Sequence, residues 1–450
     1  MRNRFLVLVC GLVIALGVVA VPFPDGAVGI GLVLVTSIVP IVVFRRLTTE
    51  KDFVTKLFLV ALALRMGFGL LIYIFNMREF FGGDFAAYDS HGAALVDGWL
   101  GHPDISDRFG IQVDPTSGPG WGMNYLTAFI YLLVGRNLFA AQSFCAVVGA
   151  ATAPLVFLCS RKIYNNTRVA KVTAISIAVF PSFVIWSGQL LKDGLIIFLL
   201  VLVMTLVLEL QEKFGYAALI TLVLSLFGIL SLRFYIFYMV VIAVIGSFVI
   251  GLSKSTKNFA RNMAILVLVG VSLTYLGVGQ RATNELTKYG NLESIQKSRS
   301  DLARAGSGFA EDIDVSTTEG AITLLPIGFA YLLFAPFPWE TSNLRQAITI
   351  PEVLAWWAMM PFLVMGLIYT VRNRLRNAFP ILIFSLLLTL AYSIFQGNVG
   401  TAYRQRTQIQ VFLFILIGVG WTIYQEKREN KRLLQMAAEK RLEDRLRIEV

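Results

Sequence analysis

The sequence predicts an all-α polytopic membrane protein of about twelve transmembrane helices, and three observations carry that prediction. Hydrophobic residues make up 56% of the 450-residue chain, above the roughly 45–50% usual for a soluble domain, and the mean hydropathy is +0.71. Apolar runs close to the ~20 residues that cross a bilayer recur along its length. The basic residues fall in short blocks between those runs, as the positive-inside rule expects of cytoplasmic loops. The net charge of +11 is thereby explained without nucleic acid, which would need Lys and Arg clustered on a soluble domain. Cys10, Cys145 and Cys159 all lie inside apolar runs, where small core residues are the plain reading.

Residues 1–75 read as N-terminal transmembrane helices, with spans at 5–22, 27–44 and 53–75. The first 20 residues imitate a signal peptide, but apolar runs follow at once and no small-residue cleavage site is visible, so they read as a retained anchor. Arg45, Arg46 and Lys51 between the second and third spans mark the cytoplasmic face. The N-terminus is then inside and the loop 76–122 outside. That loop carries Asp84, Asp89, Asp97, Asp104, Asp107 and Asp114 against Arg78 and Arg108. Residues 123–135 are short for a span and read as an interfacial helix, with Trp121 and Tyr125 at headgroup depth. The unit 76–137 is thus an extracytoplasmic loop with interfacial helices.

Residues 138–279 read as central transmembrane helices. A span at 138–160 leads to RKIYNNTRVAK, which has four basic residues and no acid and is cytoplasmic. The span 171–187 returns the chain outward to the short turn SGQLLKDG, which holds Lys192 and Asp193 at the membrane surface. Spans at 194–210 and 216–231 place Arg233 at the outer end, and 234–252 leads to the inner block LSKSTKNFAR. The span 263–279 opens the second outer unit, 280–352, in which LESIQKSRSDLARA reads as a surface helix ending at Gly306-Ser307-Gly308.

The run 321–338 is apolar but carries Pro326, Pro336 and Pro338. If it crossed, Arg372, Arg374 and Arg376 would land outside, so it reads as a segment that dips in and returns. Spans 353–371, 378–395 and 408–424 complete a C-terminal membrane region, 353–424. The tail 425–450 is a mixed-charge amphipathic helix whose juxtamembrane basic cluster meets anionic membrane lipid in the cytoplasm.

This topology gathers Asp84, Tyr88, Asp89, His91, Lys192, Asp193, Arg233, Arg404 and Arg406 on the outer face, although they are far apart in sequence. Charged groups near helix ends can simply snorkel to water, and a loop histidine beside Gly92 can be structural. Arg233, embedded in SLRFYIFYM with no other charge nearby, is harder to treat as decoration.

Within FGGDFAAYDSHGAALVDGW, residues Asp84, Tyr88, Leu95 and Gly98 form the spacing D-x-x-x-Y-x-x-x-x-x-x-L-x-x-G. This resembles the first-loop signature of GT-C fold membrane glycosyltransferases, in particular the bacterial relatives of the protein-mannosyltransferase and aminoarabinose-transferase families. The resemblance implies a GT-C-like helical bundle that transfers a sugar from a polyprenyl-phosphate donor. It makes Asp84 the general base or the anchor of a divalent metal. Many members place a second acid directly after the first; this chain has Phe85, which leaves metal dependence open.

The short loop holding Lys192 and Asp193, and the stretch Tyr403-Arg404-Gln405-Arg406, are similar to family segments near the lipid phosphate. Arg404 or Arg406 is then a phosphate ligand beside Lys192 and Arg233, while Tyr88, His91 and Asp193 are expected to position substrate, together with Asp89, which shares the segment but has no place in the family pattern. The family has one span before its catalytic loop and a sizeable soluble C-terminal domain; this sequence reads as three spans there, with no such domain expected.

The expected activity is transfer to an extracytoplasmic glycan, lipid or protein acceptor at a bacterial inner membrane. A carboxylate suits that chemistry because it accepts the acceptor hydroxyl's proton and tolerates positive charge at the anomeric carbon. Lipid phosphate leaving at the membrane boundary needs cations. A polysaccharide polymerase or ligase would share these needs. A transporter or flippase of lipid-linked saccharides would instead carry ionisable residues at mid-membrane depth, where Arg65 is the one central charge.

Overall fold

In the computed structural model, residues 25–81, 83–101, 120–250, 256–304, 306–341 and 343–448, with Gly17 and Gly118, are described. The expected span 5–22, Cys10, and Asp104, Asp107, Arg108 and Asp114 of the first loop lie outside the described residues, Gly17 apart. Most of the described chain is helical. In chain order the helices are α1 (Gly26–Leu47), α2 (Lys51–Ile74), α3 (Arg78–Phe81), α4 (Asp84–Trp99), α5 (Trp121–Val134), α6 (Leu138–Tyr164), α7 (Thr167–Val179), α8 (Pro181–Ser187), α9 (Lys192–Glu212) and α10 (Tyr216–Leu232). They continue with α11 (Phe234–Ile250), α12 (Thr256–Tyr275), α13 (Val278–Tyr289), α14 (Leu292–Ala303), α15 (Thr318–Phe334), α16 (Leu344–Ala358), α17 (Met360–Asn373), α18 (Leu375–Phe395), α19 (Val399–Gln405) and α20 (Thr407–Ile448).

Six of the described helices are long and apolar enough to cross a membrane, or up to nine if each bent pair is one span. Four shorter apolar helices, α5, α10, α11 and α15, stand beside them. The chain is an integral membrane protein built as a helical bundle.

The core is organised around α6, which packs against α1, α2, α7 and α9. Its run of Ala, Gly, Ser and Cys lets neighbouring backbones approach closely, the usual solution where lipid removes any hydrophobic drive between helices. Cys145 and Cys159 are buried free thiols in this run. Asn137 caps the helix, its side chain accepting from the Ala140 amide at 2.7 Å. The Asn165-Asn166-Thr167 stretch serves as a joint: Asn165 takes the left-handed conformation that ends α6, and Asn166 caps α7.

Polar links gather the basic blocks at one end of the bundle. Arg161 donates to Thr48 at 3.0 Å, Lys171 pairs with Glu50 at 2.8 Å, and Arg261 donates to the Glu212 carbonyl at 3.3 Å. The Tyr164 hydroxyl, 2.7 Å from Thr370 Oγ1, brings the C-terminal part of α17 to the same end. Helix α9 runs from that end, at Glu212, to Lys192 and Asp193, about 31 Å away at 1.5 Å per residue.

Three single spans expected from the sequence are bent. The run 171–187 breaks by 54° between α7 and α8, where Pro181 cannot donate to the preceding turn. Buried Arg65 meets that break: it donates to Ser187 Oγ at 2.7 Å and to the Ala178 carbonyl at 3.2 Å. The run 353–371 begins earlier, at Leu344, and bends by 42° between α16 and α17. The run 263–279 ends at Tyr275 and turns by 77° into α13.

Conversely, Pro326 lies within the unbroken helix α15, and Pro336 and Pro338 fall after it. Leu324 shares a small hydrophobic cluster with Ile394, a Cβ on Gly328 would run into the Ser393 carbonyl, and the Leu333 carbonyl accepts from Arg406, so the middle of α15 meets the C-terminal end of α18.

Candidate active site

The site is built where α4, α9, the α10–α11 junction and α19 converge. The signature stretch is helical rather than a loop, and Asp84 is the first residue of α4, where a carboxylate complements the helix dipole. Asp193 occupies the first turn of α9 in the same electrostatic setting but is fully buried. Arg233 is the extended residue that ends α10, and Arg404 is near the end of the seven-residue α19.

Arg404 joins the two carboxylates. Its Nη2 donates to Asp84 Oδ2 at 2.6 Å and its Nε to Asp193 Oδ2 at 2.6 Å. Asp193 Oδ1 accepts from Arg233 Nη2 at 2.7 Å, and Arg233 Nη1 donates to Tyr235 Oη at 3.0 Å. A single buried carboxylate thus holds two guanidinium groups. Burial pulls the Arg404 pKa down, the charges of Asp193 and Asp84 outweigh it, and the group ends above the ordinary arginine value.

Lys192 adds a further cation. Its Nζ makes no hydrogen bond or ion pair with a described residue, and it lies against the GPGWG turn, where a Cβ on Gly120 would come within 2.9 Å of it. Gly120 also has φ +87°, so this close approach and this backbone both call for glycine. With two aspartates against two arginines, Lys192 leaves the cluster one positive charge in excess.

Asp84 is the accessible member, its side chain 47% exposed. Its Oδ1 has no hydrogen-bond partner among the described residues. Tyr88, one turn along α4, is buried behind it. Burial first, then the Asp84 charge, pushes the Tyr88 hydroxyl well above its usual pKa and keeps it protonated.

Other sequence-selected residues are placed elsewhere. Asp89, five residues on from Asp84, projects from a different side of α4 and accepts from Tyr131 Oη at 2.5 Å and Arg136 Nη2 at 2.6 Å. His91 lies two turns along α4 and makes no hydrogen bond to a described residue. Arg406 is fully buried; its Nη1 donates to the carbonyls of Leu333 and Ala335 at 3.2 and 2.8 Å, and its Cζ lies 4.6 Å from the Tyr403 ring centre.

Beside the cluster lies a cavity of about 520 Å³ that has Arg404, Trp186, Tyr403 and Glu352 in its walls. Glu352 is a buried carboxylate missing from the sequence-based selection. Its Oε2 accepts from Tyr403 Oη at 2.8 Å, and its Oε1 accepts from Ser182 Oγ. This pins Tyr403, the residue before Arg404, while the Trp186 ring lies 5.9 Å under the Arg404 guanidinium. A lone acid in the apolar run after Pro351 was the available signal.

Among the described residues, no group of three or more His, Cys, Asp or Glu side chains is arranged to hold a metal ion. The two carboxylates of the cluster are bridged by a guanidinium instead.

No family model and no curated protein matches the sequence. The solved archaeal oligosaccharyltransferase AglB from Archaeoglobus fulgidus, in complex with an inhibitory peptide and a dolichol-phosphate, matches 86% of this chain at 14% identity with a TM-score of 0.53. The apo form of the Archaeoglobus fulgidus oligosaccharyltransferase matches 86% at 13% identity with a TM-score of 0.52. ArnT from Cupriavidus metallidurans in the apo state matches 79% of this chain and 58% of its own at 14% identity, with a TM-score of 0.46. The chain spans about half the length of the oligosaccharyltransferase it matches, 52% in both structures. Over the part it shares with them, the chain has the GT-C fold.

Proposed function

We propose that this protein is an integral-membrane glycosyltransferase that moves a sugar from a polyprenyl-phosphate donor to an extracytoplasmic acceptor. The observation that carries the reading is the convergence of Asp84, Lys192, Asp193, Arg233 and Arg404, from four separate segments, at the bundle end opposite the basic blocks. The similar solved oligosaccharyltransferase holds a dolichol-phosphate, which supports a lipid-linked phosphate as the donor class.

In the reaction, Asp84 Oδ1 takes the proton of the acceptor hydroxyl as its oxygen attacks the anomeric carbon. The bond from that carbon to the lipid phosphate breaks on the opposite face, inverting the centre. The departing phosphate carries the electron pair and its negative charge, which Lys192 meets with its unpartnered ammonium group. Arg404 orients Asp84, Arg233 and Asp193 fix Arg404, and the surplus positive charge draws the phosphate to this end of the bundle.

The test uses the full chain in nanodiscs with a polyprenyl-phosphate sugar, reading release of polyprenyl phosphate. Lys192→Gln is expected to lower turnover at saturating acceptor and weaken donor binding by roughly tenfold or more, the value of one charge-assisted contact. Unchanged donor dependence in Lys192→Gln would remove Lys192 from the phosphate site.

The topology is tested separately. The clustering of Arg45, Arg161 and Arg261 at one end supports a cytoplasmic assignment for it, and the placement of α15 against one end of α18 supports a segment that dips and returns. Gly83→Cys and Ser307→Cys are therefore expected to react with a membrane-impermeant thiol reagent from outside, and Thr49→Cys only after permeabilisation. Labelling of Gly83→Cys and Ser307→Cys from opposite sides would overturn the shared outer face.

A further inference from the structure

Arg65 takes no part in the chemistry described above, yet it lies well inside the span α2 and is 1% exposed. Among the described residues no carboxylate pairs with it. A cation held in hydrocarbon without a counter-charge is expensive, and such positions are functional by default.

Its partners show what it does. Nη1 donates to the Ala61 carbonyl of its own helix at 3.0 Å and to the Ala178 carbonyl of α7 at 3.2 Å. Nη2 donates to the Ile177 carbonyl at 3.4 Å, and Nε to Ser187 Oγ of α8 at 2.7 Å. In a continuous helix Ile177 and Ala178 would accept from residues 181 and 182. Pro181 has no N–H, and across the 54° bend the Ser182 amide does not reach Ala178. Arg65 supplies the two donors that the bend removes. It also brings positive charge to the C-terminal end of α7, where the helix dipole favours it.

Held in this way, α8 touches both arms of the charged cluster. On one side, Ser182 Oγ donates to Glu352 Oε1 and lies 3.0 Å from Tyr403 Oη, while the Trp186 ring lies under Arg404. On the other, Ser187 is seated between two helices: a Cβ on Gly149 of α6 or on Gly194 of α9 would run into the Ser187 Cβ. Gly194 follows Asp193 in the first turn of α9. A Cβ on Gly188 would likewise come within 2.8 Å of the Arg65 carbonyl, so the chain leaving α8 toward Lys192 is pressed against α2. The angle of α8 therefore sets where α9 begins relative to Tyr403 and Arg404.

We propose that Arg65 is a positioning residue of the site: by fixing the bend between α7 and α8, it holds Lys192 and Asp193 in register with Arg404. It acts through α8 and touches no reacting atom. The inference rests on the glycosyltransferase reading for what the site does, and adds to it a residue buried in the membrane span. The planar fork of a guanidinium is required, because a single ammonium nitrogen cannot serve α7 and α8 together with that geometry.

The experiment uses the full chain in nanodiscs, with polyprenyl phosphate as the binding probe and a polyprenyl-phosphate sugar for turnover. Arg65→Lys keeps the cation at the end of α7 but loses the fork. It is expected to weaken polyprenyl phosphate binding roughly tenfold, the value of one charge-assisted contact, and to lower turnover about 10²-fold, the cost of a ~1 Å misplacement. Arg65→Leu also leaves the carbonyls unpaired and should lose thermal stability. Adding Pro181→Ala restores an N–H for Ile177 and lets α7 run straight, so the double variant Arg65→Leu/Pro181→Ala should recover stability while binding and turnover stay low. Pro181→Ala alone, with Arg65 in place, should match the wild type. Cryo-electron microscopy of the double variant, with a bound Fab as fiducial, reads the geometry directly: the 54° bend should relax and Asp193 should draw away from Arg404.

Wild-type binding and turnover in the double variant would make Arg65 a stability residue only and overturn the inference. A double variant as unstable as Arg65→Leu, or one that keeps the bend, would overturn it too. Loss of binding in Pro181→Ala alone would assign the bend to Pro181 in place of Arg65, with the same result. Failure of polyprenyl phosphate to bind the wild type would instead remove the glycosyltransferase reading, and the angle measured in the double variant would still decide whether Arg65 sets the geometry of α8.

Discussion

Asp84→Asn is expected to lower single-turnover sugar transfer by 10²–10⁴-fold, the usual worth of general-base assistance, or roughly 3–5 kcal/mol of barrier. The substitution is nearly isosteric. The amide oxygen that the change introduces, turned toward Arg404, still accepts from Arg404 Nη2, so the guanidinium remains tethered there and by Asp193. What disappears is the exposed carboxylate oxygen that takes the proton. Arg404, the partner left behind, keeps the buried Asp193 carboxylate at 2.6 Å as its counter-charge, so folding and donor binding should persist. Asp89→Asn is the control within the same helix, since that carboxylate serves Tyr131 and Arg136 on another side of α4. Full transfer by Asp84→Asn together with loss in Asp89→Asn would move the base to the later aspartate. Full transfer in both would remove α4 from the chemistry.

Why the sequence revealed some of this site and concealed the rest follows from what each residue reports locally. Asp84 and Tyr88 stand one helical turn apart, so their shared face is readable from spacing alone. Lys192 and Asp193 begin a long apolar helix and Arg233 interrupts two, and charges in those places are conspicuous against such surroundings. Arg404 and Arg406 were equally conspicuous. They are two residues apart, about 200° around a helix, so one faces the aspartates while the other turns to the Leu333 and Ala335 carbonyls at the end of α15, and choosing between them needs the packing of α19. The same limit hid Glu352 and Ser182, whose common partner Tyr403 is distant in sequence from both. Proline behaved unevenly for a related reason: Arg65 and Ser187 stabilise the break at Pro181, whereas α15 keeps Pro326 inside a continuous helix. Sequence identifies the weak point, and the neighbours decide whether the helix bends.

Asp193→Asn should behave differently from Asp84→Asn, and the contrast tests the division of labour between the two carboxylates. Asp193 is fully buried and accepts from both Arg233 and Arg404. Removing its charge leaves two guanidinium groups in a low-dielectric setting with one exposed carboxylate between them. Breaking a buried pair by deleting one partner typically costs about 3–5 kcal/mol, because the surviving charge is uncompensated. The variant should therefore lose thermal stability in nanodiscs as well as activity, whereas Asp84→Asn loses activity alone. Adding Arg233→Gln to Asp193→Asn removes one of the stranded charges, so the double variant is expected to recover stability relative to Asp193→Asn without recovering transfer. A double-mutant cycle on stability measures this coupling directly. Additive losses in the cycle would mean that Asp193 and Arg233 do not form a coupled buried pair. Transfer restored in the double variant would show that Asp193 serves stability alone and that Arg404 needs no second carboxylate to present Asp84.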